Sequence, residues 1–275
     1  SLQLCTAEAI RWVRTQPAES PILCYMPYHA VHTPLAEKDQ RWFDLNGHIR
    51  DPDRRHFAAY LSHLDDAVGR LVEAFREANR YENTLIVFTS DNGGVEGGYK
   101  GGAYPEPDPK LKAGYSSNQP LRGGKSTSYE GGIRVPAFVH WKKGLTPGKL
   151  DAPMHAVDWF PTIREFAGIA PPRREELDGQ SMAGSLTSPA QSAPPRTIYT
   201  TWNRGRQVAL RHGNWKIRAA GPGKGNFKAF DWELYNLGED PHETTNLADQ
   251  NSGKLRELIA MFESERARDG ILSER

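Results

Sequence analysis

The sequence predicts an α/β fold followed by a small antiparallel sheet that a terminal helix closes. Three observations carry that expectation. An apolar β-type run at residues 84–89 stops abruptly on Asp91-Asn92-Gly93-Gly94. A long helical pattern at about residues 54–79 stands between that run and an earlier apolar run at residues 21–26. Beyond residue 196, short alternating segments separated by Asn, Gly and His lead to one amphipathic stretch. Strand, helix and strand in succession imply a right-handed parallel crossover, and evenly spaced alternating segments imply a meander.

Residues 7–14 read as the middle of a helix. With neither an initiating Met nor a basic leader before them, these residues carry no signal peptide, and the chain is expected to begin inside a longer protein. Pro21-Ile22-Leu23-Cys24-Tyr25-Met26 is bounded by prolines and reads as a strand buried on both faces, with Cys24 a small buried hydrophobe. It runs into Tyr28-His29-Ala30-Val31-His32-Thr33-Pro34. In the long helix, Phe57, Tyr60, Leu61, Leu64, Val68, Leu71, Val72 and Phe75 recur at helical spacing, a stripe suited to covering a sheet.

Residues 93–124 are dense in Gly, Pro, Lys, Tyr and Ser without period, and so long a loop in a compact domain is usually functional. A strand at 137–141 and a helix at 156–167 follow, the helix with Val157, Phe160, Ile163 and Phe166 on one side and Pro161 either in its first turn or kinking it. Residues 1–172 are thus expected to form the α/β domain, 173–195 a Pro- and Ser-rich linker, and 196–275 a small subdomain. Its strands are expected at 197–201, 207–211, 214–218 and 232–236, and its helix at 254–266.

Composition narrows the functional classes. The 275 residues are 37% hydrophobic and 25% charged with a net charge of +1, globular values with no polycationic face for nucleic acid. No apolar run approaches the roughly 20 residues that span a bilayer. Two cysteines, Cys5 and Cys24, form neither a disulfide framework nor a metal-ligand pattern.

The chemistry concentrates in segments that follow buried strands, where open α/β sheets gather their ligands. Asp91 and Asn92 offer a hard cation a carboxylate and an amide oxygen, although Asp-Asn-Gly-Gly by itself also describes a turn. His29 and His32, then Arg122 and Lys125, are the other polar groups so placed. A cation with oxygen ligands, an ammonium and an imidazole together suit a tetrahedral oxyanion. Gly123-Gly124-Lys125-Ser126 is not a Walker loop, because Gln119 and Pro120 stand where that pattern needs a glycine.

Four motifs then carry a resemblance: Val31-His32-Thr33-Pro34; Thr89-Ser90-Asp91-Asn92-Gly93-Gly94; Pro120-Leu121-Arg122-Gly123-Gly124-Lys125-Ser126-Thr127-Ser128-Tyr129-Glu130-Gly131-Gly132-Ile133-Arg134-Val135-Pro136; and Glu233-Leu234-Tyr235-Asn236-Leu237 running through Asp240-Pro241-His242-Glu243 to Asn246-Leu247. In this order, over nearly the whole chain, they resemble the formylglycine-dependent sulfatases, in particular the arylsulfatase B-like and polysaccharide-sulfatase branch. The resemblance implies an alkaline-phosphatase-like sheet with flanking helices and a small C-terminal antiparallel sheet. It implies that Asp91 and Asn92 are ligands of a divalent metal, Ca²⁺ with Mg²⁺ as the alternative, and that Lys125 and His32 contact the sulfate. Arg122, Tyr129, Glu130 and Arg134 are expected to give structural support. The substrate implied is a sulfated carbohydrate or an aryl sulfate, and the location periplasmic or secreted. Trp202, Arg204, Arg206, His212, Tyr99 and Tyr104 are candidates for lining a carbohydrate cleft.

The family's nucleophile, a formylglycine in a Cys/Ser-x-Pro-Ser-Arg pattern, has no counterpart at Cys5 or Cys24. Its first aspartate pair is not supplied by Asp65-Asp66, which falls inside the helical pattern. Both are expected in a preceding segment, so the chain alone is expected to be inactive. A phosphoryl hydrolase of the same superfamily and a non-catalytic binder of sulfated glycans are the alternative readings.

Overall fold

A computed structural model of the chain describes residues 2–95, 116–170, 177–188, 195–202, 204–221 and 230–268. Tyr99 and Tyr104 lie outside the described residues. The chain divides into two compact units that are not contiguous in sequence: one of residues 1–90, 94–117 and 136–143, the other of 91–93, 118–135 and 144–275.

The first unit is built on helices α1 (Leu2–Thr15), α2 (Gln40–Leu45) and α3 (Pro52–Glu77). Helix α3 starts where local chemistry dictates. The Asp51 carboxylate accepts from Arg54 N at 2.7 Å, Pro52 occupies the first turn, and Asp53 and Arg76 complement the helix dipole. Its buried side holds Ala59, Tyr60, His63, Leu64, Ala67, Ala74 and Phe75, and among the described residues its main helical neighbours are α1 and α2. Thr6, Ala9 and Val13 supply the buried face of α1. Asp65 and Asp66 do lie within α3.

Strand β1 (Ile86–Thr89) pairs with β2 (Ala137–His140) in antiparallel register, with Ile86 opposite His140 and Thr89 opposite Ala137. The parallel crossover expected from residue 21 to residue 89 is therefore corrected. Residues 21–26 enter no ladder; Leu23 and Tyr25 are 77% and 82% exposed, and Cys24 is only half-buried. A run covered on both faces needs neighbouring strands, and among the described residues none pairs with it, so its alternate side chains stand open.

The second unit contains α4 (Glu130–Ile133), α5 (Trp159–Phe166), α6 (Ala183–Thr187) and the strands β3 (Thr197–Trp202), β4 (Gln207–His212), β5 (Trp215–Ala220) and β6 (Asp231–Asn236), then α7 (Ser252–Arg268). The four strands form the expected antiparallel meander in sequential order. His212 pairs with Trp215 across a two-residue turn in which Gly213 takes φ +58°, the left-handed geometry that tight hairpins need.

Period-two alternation gives the sheet two different faces. Val208, Leu210, Ile217, Ala219 and Leu234 meet Leu258 and Phe262 of α7 in the apolar core. Gln207, Lys216, Arg218, Glu233 and Tyr235, on the alternate positions, form a polar face.

Within the stretch expected to be a linker, residues 177–188 carry α6, with Met182, Ala183 and Leu186 buried. Pro161 sits in the first turn of α5, the first of the two expected placements, but Val157 and Phe160 are 40% and 58% exposed. The buried side of that segment is instead Asp158, Pro161 and Thr162. The reason is a buried anchor: Asp158 accepts from both terminal nitrogens of Arg196 and from Gln180 N, and Thr162 Oγ1 accepts from Met182 N. No helix among the described residues is long and apolar enough to cross a membrane.

Candidate functional site

Residues 118–135 and 91–93 belong to the same unit, joined through glycine backbone. Gly93 N donates to Gly132 O at 3.0 Å, Gly131 N to Arg122 O at 2.8 Å and Gly132 N to Tyr129 O at 2.9 Å. The approach is too close for side chains. A Cβ on Gly93 would lie 1.8 Å from Gly131 O, and one on Gly131 would lie 2.1 Å from Gly123 O. The Gly-Gly pairs of the two motifs are therefore a steric requirement of their contact.

Asp91 is exposed, and its Oδ1 accepts from Asn92 N at 2.9 Å; Asn92 Nδ2 donates to Gly93 O at 3.0 Å. With Nδ2 committed as a donor, the Asn92 carbonyl oxygen is the atom of that amide whose chemistry suits a cation. Carboxylate and amide oxygens fit a hard divalent ion. They are two donors, and among the described residues no cluster of three or more His, Cys, Asp or Glu stands ready to hold a metal. Lys125 is half-buried on the loop that Thr127 closes, with Thr127 N and Oγ1 both donating to Gly124 O at 3.0 and 2.8 Å.

His32 belongs to the other unit. Its ring is exposed, lies 5.2 Å from that of His29, and places Nδ1 2.6 Å from Thr33 O. A carbonyl only accepts, so Nδ1 carries a proton there and Nε2 is the ring nitrogen not used by that bond.

The residues expected to give support are tied to the polar sheet face. Tyr129 lies between two guanidinium groups, with Arg122 Cζ 4.2 Å and Arg218 Cζ 4.1 Å from its ring centroid, and its hydroxyl donates to Glu233 at 2.8 Å. Arg122 Nη1 donates to Tyr235 Oη at 3.0 Å and to Glu243 O at 2.8 Å. Ser128 Oγ accepts from Arg218 Nε at 3.1 Å and donates to Gln207 Oε1 at 3.3 Å. Lys216, fully buried, places Nζ 2.8 Å from both Glu130 Oε1 and Glu243 Oε1. Arg134 is exposed, and its backbone N bonds to Glu130 O.

This network shifts the groups it joins. Burial opposes ionisation of Glu233, but hydrogen bonds from Tyr235 and Tyr129 and the Arg218 charge outweigh it and hold the carboxyl below its ordinary range. Burial and the Glu233 carboxylate push the Tyr235 hydroxyl up, and burial raises the Glu243 carboxyl against the pull of Lys216. Sequence reasoning missed Lys216, Arg218 and Glu243 as partners of the loop. The available signal was a Lys and an Arg at alternate positions of a strand otherwise apolar on its other face, and a Glu inside a recognised motif.

Other features contribute less. An open groove of about 550 Å³ between α1 and residues 23–28 is lined by Cys5, Trp12, Leu23 and Met26, and none of the candidate residues faces it. Ser192-Ala193-Pro194-Pro195-Arg196 approaches the formylglycine pattern, but Pro195 replaces its Ser and Arg196 is committed to Asp158.

Residues 1–169 match the family model described as Sulfatase, and residues 124–267 match that of N-sulphoglucosamine sulphohydrolase, C-terminal. The chain belongs to the sulfatase family. It is 29% identical to Arylsulfatase J of Mus musculus over 94% of this chain and 47% of that protein. It is 30% identical to a Sulfatase of Formosa agariphila over 85% of this chain and 43% of that protein. The crystal structure of Ps i-CgsB in complex with k-i-k-neocarrahexaose superimposes with a TM-score of 0.79 at 29% identity, covering 96% of this chain and 54% of that one. The chain thus spans about half the length of the relatives it matches, and the α/β fold with a C-terminal meander and closing helix is theirs.

Proposed function

We propose that the protein hydrolyses sulfate esters of a sulfated carbohydrate, with Lys125 and His32 contacting the sulfate and Asp91 and Asn92 among the ligands of a divalent metal. The observation that carries this reading is the glycine-mediated seating of the Lys125 loop on Asp91–Gly93 within one unit. Family membership supports the chemistry, and the oligosaccharide held by Ps i-CgsB supports a glycan over a simple aryl ester.

The Lys125 ammonium neutralises charge on the sulfate oxygens where preorganised donors are most effective. His32, doubly protonated, donates from Nε2 toward the ester oxygen, while Nδ1 stays tied to Thr33 O. Calcium, or magnesium in its place, would be held by the Asp91 carboxylate and the Asn92 carbonyl oxygen and would supply positive charge to the same oxyanion.

The reading requires a nucleophile that these 275 residues do not contain. The purified chain is therefore expected to bind sulfate esters without turning them over, and measurable release of nitrophenol from nitrophenyl sulfate would refute this. In an active, longer form of the protein, Lys125→Ala and His32→Ala should each lower kcat by about 100-fold, since one such donor is worth about 3 kcal/mol. Unchanged kcat in either variant removes that residue from the site. Side-by-side rates on aryl sulfate and aryl phosphate separate this reading from phosphoryl hydrolysis.

A further inference from the structure

Glu243 lies between β6 and α7, fully buried, with a backbone φ of +57°. Glutamate has no local preference for that left-handed geometry, so the surrounding contacts impose it. Three contacts do so. The Glu243 carbonyl accepts from Arg122 Nη1 at 2.8 Å, its Oε2 accepts from Glu130 N at 2.6 Å, and its Oε1 meets Lys216 Nζ at 2.8 Å. Arg122 and Glu130 are the two ends of the loop that carries Lys125, and the same ends are bridged by the bond from Gly131 N to Arg122 O. The next residue, Gly132, receives Gly93 N.

We propose that Glu243 is a positioning residue, a clamp that closes the Lys125 loop from both ends and so sets where that loop meets Asp91–Gly93. Its link to sulfate binding rests on the proposed role of Lys125; the clamp itself rests on the contacts above. A carboxylate is required because both of its oxygens face donors, the Glu130 N–H and the Lys216 ammonium. Glutamine must turn its NH₂ toward one of them, setting donor against donor.

The test is amide hydrogen exchange on the 275-residue chain, read by fragment mass spectrometry, beside calorimetric titration with inorganic sulfate in the presence of Ca²⁺. In Glu243→Gln, amides of residues 122–132 should exchange at least tenfold faster, while those of β3–β6 stay within twofold of the parent. Glu243→Asp loses a methylene but keeps a carboxylate for the same two groups and should retain much of the loop's protection, a recovery by charge that mere loss of packing does not produce. Sulfate affinity should fall and recover in parallel. If Glu243→Gln does not fold, Arg122→Gln cuts the other arm of the clamp and should give the same local pattern. Unchanged exchange at 122–132, an equal rise across the whole sheet, or a loss in Glu243→Asp as large as in Glu243→Gln overturns the proposal. A parent chain that binds no sulfate while the exchange pattern holds counts against the role of Lys125, not against the clamp.

Discussion

Replacing Lys216 by methionine keeps most of the side chain's volume and removes the charge between two buried carboxylates. Glu130 is 3% exposed and Glu243 fully buried, and each loses a 2.8 Å contact with the ammonium. Breaking a buried ion pair from one side costs about 3–5 kcal/mol. The protein can limit the loss by taking up one proton. At pH 7 that costs about 1.4 kcal/mol for each pH unit above the ordinary glutamate value of 4.5, or about 3.4 kcal/mol. At pH 5.5 the same escape costs only about 1.4 kcal/mol.

The sign follows from the direction of the shift. A carboxyl whose pKa rises on folding contributes stability at low pH and loses it as pH climbs toward the folded value. With about 3 °C of melting temperature per kcal/mol for a domain of this size, Lys216→Met should melt about 10 °C below the parent at pH 7 and about 4 °C below it at pH 5.5. Scanning calorimetry at the two pH values measures both gaps. A gap under about 3 °C at pH 7, or one independent of pH, refutes the account of Lys216 as the counter-charge of both glutamates.

Three further outcomes follow from the same contacts. Gly93→Ala forces a Cβ to within 1.8 Å of Gly131 O, and since both partners are backbone the seat must open; overpacking of this kind costs about 1–3 kcal/mol, and a melt within a degree of the parent's would show that the seat yields freely. Because Glu233 is held below its ordinary range, its stabilisation is complete above pH 4.5 and fades as pH falls through its folded value. Glu233→Gln should therefore flatten the acid limb of a plot of melting temperature against pH, and parallel limbs would contradict the assignment. Arg196→Met leaves Asp158, fully buried, without its guanidinium and should cost about 3–5 kcal/mol in denaturant melts, whereas a loss below about 1 kcal/mol would mean that the bonds from Gln180 N and His155 N suffice.

The sequence alone determined what local rules control. Helix α3 is written in Asp51, Pro52 and the periodic stripe, and the meander in alternation and turn residues, because propensity, caps and period two act over a few residues. The motif residues Asp91, Asn92 and Lys125 were legible for the same reason, as chemical types at fixed spacing. Tertiary structure alone decided which way strands pair and which faces are covered. The run at 21–26 has strand composition but joins no ladder, and α5 buries Asp158 while exposing Phe160, because a ladder and a covered face both require a partner from elsewhere in the chain. Likewise, nothing local marks Lys216 or Glu243 as buried. Their charges are tolerated inside only because residues about 86 and 113 positions from Glu130 are brought together there, and pairing is what makes the burial of charge affordable.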